Sequence, residues 1–160
     1  MISSPADAIV ALRLDVRFAE TDLMGVVHHS VYAVWLEAGR VTWMDAAGLP
    51  YNEVAEGGHH FAVTGLSISF RTPARFGDTI EVLTRLVSLR SRQVSFAYEV
   101  RSIAGGALLA TATSEHICVD LDGQMARIPT EVIGQMRAGA EEIIRRQGTE
   151  WASAEQVRQQ

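Results

Sequence analysis

The 160 residues carry 14 Lys and Arg against 19 Asp and Glu, a formal charge of −5, with 48% hydrophobic and 21% charged residues. That length and apolar content fit one packed domain, and the acidic balance removes the clustered cations that binding to a nucleic-acid backbone requires. The one cysteine, Cys118, excludes an internal disulfide and a multi-thiolate zinc site in a single chain. No run nears the roughly 20 apolar residues of a membrane span, and residues 1–10 lack the basic start and apolar core of a secretion signal, so a cytoplasmic protein is expected.

Val10, Leu12, Leu14, Val16 and Phe18 alternate with Ala11, Arg13, Asp15, Arg17 and Ala19, the period-two signature of a strand with one buried face. The alternation stops at Glu20, and Thr21, Asp22 and Gly25 predict a loop. From Ser30 the period becomes helical, with Tyr32, Trp35, Leu36, Gly39, Trp43 and Ala46 on one seam. Ser30 is the expected cap, and Gly48 with Pro50 the stop. A polar link through Gly57, Gly58, His59 and His60 leads into four strands that end near residue 120. In the first of these, Phe61 and Val63 lie on odd positions and Leu66, Ile68 and Phe70 on even ones, which predicts a bulge at Gly65. The next, residues 80–89, is apolar on both sides, with Leu83, Val87 and Leu89 opposing Ile80, Val82 and Leu86, as in a central or interface strand. Val94, Phe96, Tyr98 and Val100 alternate in the third, and Gly105-Gly106 predicts a hairpin into the fourth, residues 108–119. Pro129 opens a helix with Ile133, Met136, Ala140, Ile143 and Ile144 on one stripe, and the polar tail to Gln160 is expected to fray.

This order of elements is α+β, a largely antiparallel sheet covered by one long helix. A single domain is expected, with its core over about residues 10–122 and a C-terminal helix and tail over 129–160. The apolar residues left on the second sheet face predict burial against another copy, hence a homo-oligomer.

No GxGxxG opens a helix, and GxxxxGK[ST], GxSxG and HExxH are all absent. The histidines come in pairs, His28-His29 and His59-His60. Adjacent side chains on a regular element diverge, so each pair supplies one good ligand at most; two such ligands plus a carboxylate are geometrically possible, but polar loop or cleft histidines are the plainer reading and no metal site is expected. The informative stretch is 17–32, continuing to Glu37 and Arg40. It places a carboxylate, Asp22, ahead of the long helix's N-terminus, where unpaired N–H groups and the helix dipole suit a developing oxyanion. Gly25 lets the backbone approach a substrate closely. A base or nucleophile beside such a site is the minimum for acyl transfer, although the same aspartate also suits a plain Asx turn.

Phe18, Glu20, Thr21, Asp22, Gly25, Val26, Val27, Tyr32, Trp35 and Glu37 stand in register with the motif of the 4-hydroxybenzoyl-CoA thioesterase family, which this chain resembles over about residues 10–120. The resemblance implies a hotdog fold, an antiparallel sheet wrapped around one long helix, in homodimers or homotetramers with active sites at subunit interfaces. It implies an enzyme that hydrolyses an acyl-CoA thioester to a carboxylic acid and free CoA, with no cofactor beyond the CoA of the substrate. Asp22 matches the family's catalytic aspartate, and the His29 N–H matches the donor that polarises the thioester carbonyl. The chain is most similar to the Tol-Pal-associated acyl-CoA thioesterases, which have a histidine at position 29 but glycine where Met24 stands. The His29 imidazole then either orients the site or is only a polar neighbour.

The resemblance also puts the CoA phosphates near Arg90 and Arg92, with Ser95 as a hydrogen-bond donor; a solvated basic turn is the alternative, and Arg71 and Arg75 are further candidates. Tyr32 either lines the acyl pocket or belongs to the core. Glu37 and Arg40 are spaced for an ordinary i, i+3 ion pair, and Cys118 is expected to be a buried apolar residue. A thioester has weak resonance and its thiol leaves with a pKa of about 8.5, so no strong acid is needed. Asp22 would either attack the carbonyl or activate a water. The other readings are an acyl carrier protein thioesterase and a non-catalytic acyl-CoA-binding hotdog protein.

Overall fold

The alternation in the first segment forms β1 (Ile9–Asp15), whose even residues turn inward. In the computed structural model, which describes residues 7–158 and side chains through 147, the alternation ends at the buried Val16. Val16 N–H bonds to the Asp78 carbonyl and the Arg17 N–H to the Glu20 carboxylate, so the chain turns. Phe18 therefore falls in a single 3₁₀ turn, Phe18–Glu20, and is exposed against the edge of Phe76 instead of completing the strand's buried face.

The long helix, α1 (His29–Ala46), starts two residues earlier than a Ser30 cap implies. Its cap is His28, not Ser30: the His28 Nδ1 accepts from the Ser30 N–H at 3.2 Å and meets Ser30 Oγ at 2.7 Å. An imidazole nitrogen here does what a serine or aspartate oxygen usually does. Tyr32, Trp35, Leu36, Gly39 and Trp43 are buried as the seam predicts, joined by Met44. The link that follows contains a short helix, α2 (Tyr51–Glu56), that the sequence pattern does not predict, because six residues with Val54 alone buried give no periodicity to detect.

β2 (His60–Phe70), β3 (Thr79–Leu89), β4 (Gln93–Ser102) and β5 (Leu108–Val119) complete one antiparallel sheet in the order β1-β3-β4-β5-β2. The bulge in β2 lies between Val63 and Gly65, where parity predicts it. A second bulge, between Leu86 and Ser88, is unpredicted. It returns Leu89 to the inner face opposite Val94, so Leu89 does not share a face with Leu83 and Val87. That outer face carries Arg13, Glu81, Arg85, Glu99 and Arg101 as well, by register. Gly105 and Gly106 take φ of 85° and 69°, the left-handed pair that a tight hairpin between β4 and β5 needs.

α1 lies across the inner face. Trp43, fully buried, packs edge-on against Phe96 and donates its indole N–H to the Ala8 carbonyl. Closest approach is at Gly39, where a Cβ would fall 2.6 Å from Thr84 Oγ1 and 2.8 Å from Val82 Cγ1. α3 (Thr130–Arg158) docks through Met136, Ala140 and Ile143. It is helical through most of the tail expected to fray, whose last two residues lie outside the described residues. Register gathers Asp15, Phe70, Thr79 and Ser102 at one end of the sheet, and His60, Leu89 and Gln93 at the other.

Candidate active site

The loop that carries Asp22 is pinned at both ends. His28 N–H bonds to the Glu20 carbonyl, Val27 N–H to the Ala74 carbonyl, and Thr21 bridges Val27. Within it, Asp22 N–H bonds to the Val26 carbonyl at 2.9 Å and Gly25 N–H to the Asp22 carbonyl at 3.0 Å. Gly25 sits at φ 76°, a conformation a side chain would strain. The Met24 N–H donates to Asp22 Oδ1 at 2.8 Å, so the Asx turn is present. It uses one oxygen only, and Oδ2 makes no hydrogen bond to any described residue. The turn and a reactive carboxylate are thus compatible.

His29 is the first residue of α1, and its N–H is one of the donors that a helix start leaves without an acceptor. Its ring stacks on His28 with centroids 4.1 Å apart. These neighbours do not diverge as expected, because His28 is the extended cap residue while His29 is already helical.

Glu20 holds this loop to the helix, a role that its place in the motif does not reveal. It is 7% exposed; Oε1 accepts the Arg17 N–H at 2.7 Å and Oε2 accepts the Trp35 indole N–H at 3.1 Å. Burial alone would raise its pKa, but the hydrogen bonds from the Arg17 backbone, Trp35 and the Arg17 side chain, with the charge of that guanidinium, outweigh burial and lower it. One half of the interaction is fifteen residues away in sequence, beyond any local pattern. Tyr32 is buried in the core between Trp35 and Phe70, at centroid distances of 4.9 and 5.0 Å. Burial raises its pKa against a hydrogen bond with the Ala74 backbone.

Asp22, Gly25, His29 and Tyr32 thus gather at one end of the molecule; Arg90, Arg92 and Ser95 do not join them. Arg90 and Ser95 line a cavity of about 310 Å³ at the opposite end of the sheet, shared with Thr64, Gln93 and Glu115. Seven residues of β4 lie between Ser95 and the far end of the strand at Ser102, about 23 Å. Arg71 and Arg75 are exposed near the Asp22 loop, where Val26 bridges Arg75. Glu37 and Arg40 form no ion pair with each other; Arg40 turns inward, to His116. Among the described residues no group of three His, Cys, Asp or Glu could hold a metal ion.

A family model described as the thioesterase-like superfamily matches residues 16–136. The chain belongs to this superfamily. A candidate acyl-CoA thioesterase of Bacillus subtilis, YneP, is 36% identical over 107 residues, which are 67% of this chain and 77% of that protein. The crystal structure of the hypothetical protein TT1821 from Thermus thermophilus is 47% identical, with a TM-score of 0.76 over 81% of this chain and 95% of the other. A 4-hydroxybenzoyl-CoA thioesterase, 20% identical, shares the fold with a TM-score of 0.73 over 81% of this chain and 99% of its own. The superfamily, the hotdog fold and the thioester-hydrolase class implied by the motif around Asp22 therefore stand.

Proposed function

We propose that this thioesterase-superfamily member hydrolyses acyl-CoA thioesters, with Asp22 as the reacting carboxylate and the His29 N–H as the oxyanion donor. The observation that carries this reading is the pairing of an unengaged Asp22 oxygen with an open helix start, both on one pinned loop. The thioester carbonyl oxygen accepts from the helix N-terminus, which stabilises charge as it develops. Asp22 then adds to the carbonyl carbon, giving a mixed anhydride that water opens, or takes a proton from the water that adds. In either case the C–S bond breaks, and CoA leaves as a thiolate that is protonated from solvent. The His29 imidazole orients this site.

The second half of the reading is a homodimer, from which a homotetramer is built by further contacts. β2 is an edge strand, and Val63, Leu66 and Phe70 on it are 56%, 46% and 52% exposed, while Val34 on α1 is 59% exposed. Exposed apolar side chains of this kind mark an interface, and an unpaired edge is a template for another strand. Antiparallel pairing of β2 with its copy about a two-fold axis reverses the partner's direction. The Arg90–Ser95 end of one protomer then lies beside the Asp22 end of the other, which supports CoA phosphate binding by Arg90 and Arg92 across the boundary. We place the protein in the cytoplasm, in keeping with a lone buried thiol and, among the described residues, no helix long and apolar enough to cross a membrane.

The test is thiol release from a panel of aromatic, short and long aliphatic acyl-CoAs, with one acyl carrier protein thioester alongside. Asp22→Asn is expected to lower kcat by about a hundredfold or more with unchanged thermal stability. Hydrolysis by that variant at the parental rate overturns the mechanism, and faster turnover of the carrier-protein ester reassigns the carrier.

A further inference from the structure

α1 and β2 do not close on each other along their length. A cavity of about 350 Å³ lies between them, walled by Leu36, Val41, Phe61, Val63 and Leu66. It begins at Ala33, one turn beyond His29, and extends to Arg40, about 16 Å along the helix from the proposed reaction centre.

Its inner end is polar. Tyr98 Oη and Ser114 Oγ are 2.6 Å apart, Ser114 Oγ is 2.8 Å from His116 Nε2, and Arg40 Nη1 is 3.4 Å from that same nitrogen. Tyr98, Ser114 and His116 are all buried. A guanidinium can only donate, so Arg40 faces a bare Nε2; the Ser114 hydroxyl donates to that nitrogen and Tyr98 donates to Ser114. His116 is neutral, because burial and then the Arg40 charge pull its pKa down to about 4. Its Nδ1 is left buried without a partner.

Arg40 itself bonds only to neutral groups, and it forms no ion pair among the described residues, although Glu37 lines the same cavity. A half-buried cation with neutral neighbours is stabilised by an acceptor oxygen. A hydrocarbon tail at this point would desolvate the guanidinium and give nothing back.

We propose, building on the thioesterase reading above, that this cavity takes the acyl group and that Arg40, held by its contacts with Tyr98 and His116, selects acyl groups whose far end carries an acceptor oxygen. That class covers hydroxyl-, keto- and carboxylate-ended acyl-CoAs, set against plain hydrocarbon of equal length. The site discriminates because a methyl terminus leaves Arg40 N–H groups without an acceptor, whereas an oxygen takes one of them.

The experiment compares kcat/KM for methyl-, hydroxyl-, keto- and carboxylate-ended acyl-CoAs of one chain length. The oxygen-ended substrates are expected to exceed the methyl-ended one by about tenfold or more, and the ratio to fall toward one in Arg40→Gln. Equal or faster turnover of the methyl-ended ester overturns the proposal, as does a ratio that survives in folded Arg40→Gln. If no ester in the panel is hydrolysed, the thioesterase reading fails separately, and calorimetric binding of the same esters reads the ratio in place of turnover.

Discussion

Glu20 uses both carboxylate oxygens as acceptors, one for the Arg17 N–H and one for the Trp35 indole. An amide has only one acceptor oxygen, so in Glu20→Gln the NH2 group must face one of these donors. The expected cost is about 1–3 kcal/mol at neutral pH, read from urea unfolding. Its pH dependence has a definite sign. The folded pKa is lowered from 4.5, so Glu20's contribution is complete above that value and is lost as the pH falls below it through the folded pKa. The stability gap between parent and variant should narrow in acid; a gap that is constant or widens contradicts the assignment. At this scale the sequence displayed Asp22, Gly25 and His29 because they fall within eight residues of one another. It did not display the Glu20–Trp35 bond or the Arg40–His116 contact, which join residues fifteen and 76 positions apart.

Among the elements, the parity change in β2 exposed its bulge because every inward residue there is apolar and every intervening one small or polar. In β3 Leu86 and the bulged Val87 are both apolar, so the slip leaves no trace in the pattern, which by parity alone puts Leu89 on the outer face. Helix docking gives a sharper case. At Gly139 of α3 a Cβ would meet the Ala47 carbonyl and lie 2.6 Å from the Ala47 Cα, backbone that cannot swing aside. At Gly134, on the same helix, it would meet nothing within 4 Å. Alanine gains up to about 1 kcal/mol over glycine in a helix, while overpacking costs about 1–3 kcal/mol. Gly139→Ala should therefore lower the melting temperature and Gly134→Ala raise it. The same sign at both positions would mean that α3 is not seated against Ala47 as described.

For the molecule as a whole, the exposed apolar side chains lie along β2 and α1 and on the loops around Phe18, Leu23, Met24, Phe76 and Leu121, not chiefly on the sheet's outer face, where the composition of β3 suggests them. Leu66→Arg puts a charge in the middle of that edge. It should give a folded monomer by light scattering, with thiol release greatly reduced, both because each proposed site takes its CoA contacts from the other protomer and because Leu66 walls the proposed acyl cavity. A monomer with parental activity would show that one chain suffices. The placement of Cys118 bears on every such assay. Its side chain is fully buried, with Sγ 3.9 Å from the Arg127 carbonyl oxygen, and burial followed by the Asp120 charge pushes the thiol pKa up. Disulfide reagents attack thiolates they can reach, so the folded catalyst stays silent in the colour reaction that counts liberated CoA, and the signal belongs to product alone.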